Sequence, residues 1–273
     1  MSPTRIFAAT TPLYLTACLI AGITLAERSL HLPRLPLGDS SVFRARMKQQ
    51  FHADVQNITL PASDGALLKA WFIQPFRSNG ESVILLHGMT ANRAASSGFA
   101  EMFLRRGYGV LLPDSRAHGE SGGDIATYGI FERDDTRLWV RWLRTQDAGC
   151  TYLLGESMGA AIGLQATAVA PSLCAVAVEA PYADFRSLAY ERVGQATHLP
   201  PLFWRTLGRP VIEIAIAYTR LRYGIWLPDA SPIRAVASAS TPALLIAGTA
   251  DRNIPMHHAR ELGCIDISLQ VYP

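Results

Sequence analysis

The chain has 273 residues, 49% of them hydrophobic and 17% charged, with 25 basic against 22 acidic side chains and a net charge of +3. That length can bury a substantial core and suits one large α/β domain or two small ones. The charges are dispersed without a long basic run, which excludes a nucleic-acid footprint, and the four cysteines show neither CxxC nor ligand spacing, so no zinc site is expected.

Residues 6–26, IFAATTPLYLTACLIAGITLA, carry no charge. A helix of roughly 20 residues crosses the hydrocarbon core of a bilayer, so residues 1–27 read first as a single-pass membrane anchor. A cleaved signal is the second reading, with Arg5 as its basic region and Thr24-Leu25-Ala26 as a small-x-small site. LTAC at 15–18 also has the form of a lipoprotein box, but the apolar run continues past Cys18. A buried helix of the folded domain fits least, because no polar stripe interrupts the run. Only Arg5 precedes the span, whereas Arg28, Arg34, Arg44 and Arg46 follow it, and a positive-inside count keeps the main domain cytosolic. Cleavage of the segment would instead make the protein secreted or periplasmic.

Residues 28–54 read as a connector without clear periodicity. VQNITL and ALLKAWFI then flank PASDG, whose Asp64-Gly65 pair marks a hairpin. Four short apolar runs follow at 82–88, 108–114, 150–155 and 174–180, each reading as a strand buried on both faces. Cys150 and Cys174, which begin the last two, are expected to be buried thiols. Helical patterns separate the runs. RAASSGFAEMFLRRG ends in Gly107, and FERDDTRLWVRWLRTQ places Leu138, Trp139, Trp142 and Leu143 on one face. Strands alternating with helices predict βαβ units and a mainly parallel sheet with helices on both faces. Residues 181–232 break the rhythm with an aromatic, proline-punctuated helical stretch that reads as a lid insert. The alternation resumes with TPALLIAG at 241–248, a helix near 256–262 and DISLQVYP.

Gly155-Glu156-Ser157-Met158-Gly159 matches the G-x-S-x-G elbow, a strand-to-helix turn so sharp that small residues must flank the serine. It follows a predicted strand and opens a predicted helix, which favours a nucleophile over a helix-capping serine. Acyl transfer needs two backbone N–H donors aimed at the developing oxyanion. Met158, just after the serine, supplies one, and Met89, in His87-Gly88-Met89-Thr90 after the strand at 82–86, supplies the other. His87 could act as a base, but its position suits bracing that loop.

These motifs, in this order, resemble the α/β-hydrolase family over roughly residues 55–273, and its serine-aminopeptidase-like and Bem46-like members most. LLHGMTAN is similar to the family's oxyanion loop, PDSRAHGESGG (113–123) to its D-x-R-G-H-G-x-S loop, GESMGA to its elbow, and AGTADRNIP (247–255) to the loop that carries the acid. Ala117 departs from the pattern, where the family often has glycine. The resemblance implies an α/β-hydrolase fold, with Ser157 as nucleophile and Asp251 as the acid that orients an imidazole. It also makes His118 a supporting residue beside His87 and Gly88. Asp251 independently follows a buried strand at the edge where open α/β sheets place ligands. Asp184 is the alternative acid, and Asp114 and Asp124 read as loop ties.

The base is the exception. The family order is serine, acid, histidine, with the histidine after the last strand, and here that strand runs to Pro273. Only His257 and His258 follow Asp251, at the start of a helical segment where a packing or surface role is usual. The expectation is a base beyond Pro273, a C-terminally truncated sequence and an impaired catalyst. The sequence therefore reads as a membrane-anchored serine hydrolase of carboxylic esters or amides, needing no metal or organic cofactor. Its substrate would be a small or lipid-like acyl compound. A peptidase or amidase on the same site, and a non-catalytic binding protein built on the same fold, are the alternatives.

Overall fold

The computed structural model describes residues 3–146, 148–264 and 268–272. Within them the apolar runs pair into an eight-stranded sheet of order β1-β2-β4-β3-β5-β6-β7-β8. β1 (Val55–Pro61) and β2 (Leu67–Ile73) form the antiparallel hairpin around Asp64-Gly65, and β2 runs antiparallel to β4 (Gly109–Pro113). The remaining pairs are parallel: β3 (Ser82–Leu86) lies between β4 and β5 (Thr151–Glu156), followed by β6 (Leu173–Glu179), β7 (Ala243–Gly248) and β8 (Ser268–Tyr272).

β3 and β4 are buried at all five positions each, because helices cover both faces of a parallel sheet. Alternate residues feed opposite layers. Val83, Leu85, Val110 and Leu112 join Trp71 and Ile73 in a core closed by Met47 and Phe51 of α2 (Ser41–Phe51) and by Ala100 and Leu104 of α3 (Ser97–Leu104). On the other face Phe72 meets Trp142 of α4 (Glu132–Arg144) edge-on at 5.1 Å. Each buried side chain of this kind contributes about 1.5–3 kcal/mol. α5 (Met158–Thr167), α9 (Pro232–Ala237) and α10 (Met256–Gly263) complete the helices around the parallel strands. The helix α2 falls within the stretch that reads as a connector. Phe43, Met47 and Phe51 face the core at four-residue spacing, a stripe one residue wide on an otherwise largely polar helix, which the sequence reading passed over.

The chain divides into two compact units. The sheet unit spans Leu32–Asp184 and continues from Ala230. The other unit combines α1 (Pro3–Leu30) with the insert Phe185–Asp229, which contains α6 (Phe185–Thr197), α7 (Pro201–Arg205) and α8 (Arg209–Tyr223). In that second unit α1 packs on α8 at Gly22, where an added Cβ would lie 2.7 Å from Ile214 Cγ2 and 2.8 Å from Val211 O. Tyr14 donates its hydroxyl to Leu207 O at 2.5 Å, and Tyr218 and Tyr223 donate to Glu27 at 2.6 and 2.8 Å. Trp204, Ile212 and Ile216 form the buried centre of the unit. Thr11–Leu30 is long and apolar enough to cross a membrane, with Leu13, Leu15, Leu19 and Ile20 exposed.

One expectation is overturned. Cys150 and Cys174 are not free thiols but form a disulfide, with Cα atoms 5.7 Å apart. The parallel pairing of β5 with β6 places the residues just before and just inside the two strands side by side. Alkylation of the denatured, unreduced protein should therefore label Cys18 and Cys264 and spare the other two. A Cys150→Ser/Cys174→Ser variant should lose about 2–4 kcal/mol of stability in denaturant unfolding, as expected for a closed loop of this length.

Candidate active site

The site is built where β5 turns into α5. Ser157 stands at the turn with φ 52° and ψ −113°, a left-handed conformation that a side chain adopts only when the surroundings impose it. The flanking glycines are a steric requirement. A Cβ on Gly155 would run into the Gly159 carbonyl, and one on Gly159 into the Leu86 and His87 carbonyls at the end of β3. The turn is fixed by Ser157 N donating to Glu179 O at 2.8 Å and by Ala161 N donating to Ser157 O at 3.1 Å. Ser157 is half-buried, and no group among the described residues hydrogen-bonds its Oγ.

The loop after β3 lies against this turn. An added Cβ on Gly88 would sit 3.6 Å from Ser157 Cβ and 3.7 Å from Glu156 O. Met89 follows in that loop, and Met158 is the first residue of α5, whose N–H has no acceptor within the helix. Among the described residues neither N–H has a backbone acceptor outside a helix or strand. His87 is fully buried. Its Nδ1 donates to Gly88 O at 2.8 Å, while Nε2 accepts the Ser115 N–H at 3.0 Å. Both ring nitrogens are thereby occupied, and burial lowers its pKa to about 4, so the ring is neutral. His118 is also buried, 5.3 Å from His87 between ring centroids, with Nδ1 donating to Arg116 O at 2.9 Å.

Asp114 is the hub of the 113–123 loop. Its carboxylate accepts the Arg93 and Glu120 N–H groups at 2.7 and 2.8 Å and Arg93 Nη1 at 3.0 Å. Burial raises its pKa, against the pull of those hydrogen bonds. Ala117 has φ 58°, so the departure from glycine falls on a left-handed position. Asp124 is exposed, and Asp184 ends the loop after β6.

Asp251 lies beyond β7 at the same carboxyl edge as Ser157. Its Oδ1 accepts the N–H groups of Asn253 and Ile254 at 2.7 and 3.1 Å, a self-closing turn that fixes the carboxylate. Its Oδ2 takes no hydrogen bond from the described residues. One strand, β6, separates β5 from β7, which spaces the two edges by about 10 Å and leaves width for one imidazole between them. His258 is fully buried in α10, and its Nδ1 accepts the Ala183 N–H at 3.2 Å. The His257 ring stacks beside it at 4.3 Å. Tyr272, the last described residue, accepts the Thr249 N–H at 2.8 Å. Pro273, where the loop carrying the base is expected to start, lies outside the described residues.

Sequence reasoning passed over a buried support behind the elbow. Glu132, at the start of α4, accepts the N–H groups of Thr127 and Gly129 and the Thr127 hydroxyl at 2.6–2.8 Å. Gln165 of α5 and the Tyr182 hydroxyl both donate to Tyr128 O, at 2.9 and 2.6 Å. An acid in the first turn of a helix was the available signal, and it is read more readily as a dipole partner.

The model of the alpha/beta hydrolase family matches residues 83–270. The Bacillus subtilis protein YqkD, whose function is uncharacterized, is 31% identical over 208 residues, 74% of this chain and 65% of YqkD. The chain thus spans just under two thirds of the length of that curated relative. Among solved structures, the Pyrococcus furiosus esterase Pf2001 has a TM-score of 0.68 at 22% identity, covering 90% of this chain and 88% of its own. The Pyrococcus horikoshii acylaminoacyl peptidase has a TM-score of 0.61 at 14% identity, covering 84% of this chain and 38% of its own. At these identities the two structures show the fold they share with this chain.

The buried, neutral His87 should leave a mark on acid stability. Its folded pKa lies below the unfolded value, so the unfolded chain takes up the proton first. The stabilisation is complete above about pH 6.5 and is lost as pH falls through about 4, on the order of 3 kcal/mol. Denaturant unfolding from pH 8 to 4 should show that fall in the parent and a shallower one in His87→Gln.

Proposed function

The chain belongs to the alpha/beta hydrolase family, and from that premise we propose that it is a serine hydrolase of carboxylic esters or amides working through an acyl-enzyme. The observation that carries this reading is the left-handed Ser157 between β5 and α5, with the Gly88–Met89 loop packed against it. In the proposed reaction Ser157 Oγ attacks the substrate carbonyl carbon, and its proton passes to an imidazole held by Asp251 Oδ2. The Met89 and Met158 N–H groups receive the oxyanion. The imidazolium then protonates the leaving alkoxide or amine as the C–O or C–N bond breaks. Water, deprotonated by the same imidazole, releases the acid and restores Ser157.

Of the histidines after Asp251, His258 has its Nδ1 taken by the Ala183 N–H, which supports a bracing role for it. An ester substrate is favoured by the likeness to an esterase over most of both chains. The acylaminoacyl peptidase match covers a minor part of that protein and leaves amide cleavage as the second reading.

The N-terminal helix is proposed to be a retained anchor. Its close packing on α8 at Gly22 and the Tyr14 hydrogen bond to Leu207 O support retention, because cleavage after Ala26 would remove the helix that α8 packs against. Exposed Leu199, Leu202, Leu207 and Leu221 in the insert suit a lipid-facing surface and a lipid-like acyl substrate. The Cys150–Cys174 disulfide supports an oxidising compartment for the sheet unit, the opposite of what the arginine count after the span implies.

A fluorophosphonate probe should label the detergent-solubilised full chain at Ser157. Ser157→Ala should abolish that labelling, with the unfolding temperature close to the parent's, and in a protein extended through the histidine expected beyond Pro273 it should lower turnover of an activated ester by about 10⁴-fold or more. Turnover that survives Ser157→Ala would make the serine structural. A folded protein extended through that histidine that neither labels nor turns over would support a binding protein instead.

A further inference from the structure

Away from Ser157, the face of the sheet covered by α2 holds a cavity of about 670 Å³. Its lining includes Arg44 of α2, Lys69 and Trp71 of β2, and Arg93 after β3, with Glu120 as its acid. β2 and β5 are three positions apart in the sheet order, which puts the β2 wall of the cavity about 14 Å from β5. None of its lining residues takes part in the proposed triad or oxyanion hole.

The polar groups around it are mostly donors. Trp71 and Arg93 are 2% and 3% exposed, and the Trp71 Nε1 and Arg93 Nε are buried donors without a hydrogen-bond partner. Both nitrogens are sealed from water-sized space, and the Arg44 and Arg93 guanidinium carbons lie 5.5 and 5.1 Å from the Trp71 ring centroid, so the cationic donors open to the cavity are those of Arg44 and Lys69. Arg93 is balanced by Asp114 and Glu120. Arg44 instead donates to neutral acceptors, Val55 O at 2.6 Å, Asn57 Oδ1 at 2.7 Å and Ser40 Oγ at 3.1 Å. Lys69 Nζ donates to Thr59 Oγ1 at 2.9 Å. Among the described residues neither cation pairs with a carboxylate, and both have N–H groups to spare.

We propose that this cavity is a binding site for a phosphate monoester. A phosphate monoester carries about −1.5 to −2 charge and three acceptor oxygens, which matches two cations that have no carboxylate partner among the described residues. A carboxylate offers half that charge. The volume exceeds what a phosphate group fills and lies in the range of small-molecule sites, about 300–1,000 Å³, so room remains for the organic part. The same phosphate chemistry is offered by a soluble ester and by the headgroup of phosphatidic acid.

The test uses the full chain in neutral detergent. Glycerol 3-phosphate is titrated by calorimetry, and thermal unfolding is followed with that ester and with micelles containing phosphatidic acid or phosphatidylcholine. A bound phosphate should raise the unfolding temperature. Lys69→Gln, a change at a half-exposed position, should weaken binding roughly tenfold, as loss of one charge-assisted hydrogen bond does. Stabilisation by glycerol 3-phosphate identifies a soluble ester, and stabilisation by phosphatidic acid but not phosphatidylcholine identifies the lipid headgroup, provided Lys69→Gln diminishes it. No response to either ligand up to about 10 mM, or a response that Lys69→Gln leaves unchanged, overturns the proposal.

Discussion

The turn from β5 into α5 admits no side chain at either glycine, and the layout of the sheet unit follows from that exclusion. Because Gly155 and Gly159 lack Cβ atoms, the start of α5 comes against the carbonyl groups of Leu86 and His87 that end β3. The loop that follows β3 is then held against Ser157. The left-handed backbone at Ser157 costs of order 1–3 kcal/mol. It persists because β3 and β5 are paired along five residues and β3 is buried throughout. The strain sits at one residue, and the apolar strands on both sides of it oppose its release.

Much of this was legible because the signals are local. A strand buried on both faces must be a short apolar run, and the runs at 82–88, 108–114, 150–155 and 174–180 each became a strand within one or two residues. The Asp64-Gly65 hairpin and the serine between glycines are likewise written in adjacent residues. What escaped is non-local or sparse. The Cys150–Cys174 disulfide depends on how β5 pairs with β6, including the register shift at Thr151 and Tyr152. The helix α2 shows one narrow stripe to the core, Phe43, Met47 and Phe51. The roles of Glu132 and Arg93 arise from partners that no spacing rule associates with them.

The candidate site divides along the same line. The positions of Ser157, Met158 and the Gly88–Met89 loop follow from short motifs. The state of His87 does not, because it is set by the Ser115 N–H, 28 residues away, and by burial. Sequence and structure also pull apart over compartment. The arginines at 28, 34, 44 and 46 speak for a cytosolic domain only as a statistical bias on insertion. A cross-link between two strands is a covalent outcome that a reducing compartment opposes, and the proposed oxidising compartment rests on it.

The sheet unit also shows how one loop can serve two neighbourhoods. Asp114 N donates to Lys69 O, and Lys69 N donates to the Ser121 hydroxyl, so residues 114–121 are stitched to β2 beside the cation-lined cavity. The same segment contributes the Ser115 N–H that holds His87 beneath the Gly88 loop, and Asp114 anchors Arg93 on the cavity side. The buried carboxylate of Asp114 is therefore more than a loop tie. It fixes the one guanidinium that the cavity shares with the loop. It does so one residue away from the hydrogen bond that fixes the imidazole next to the elbow.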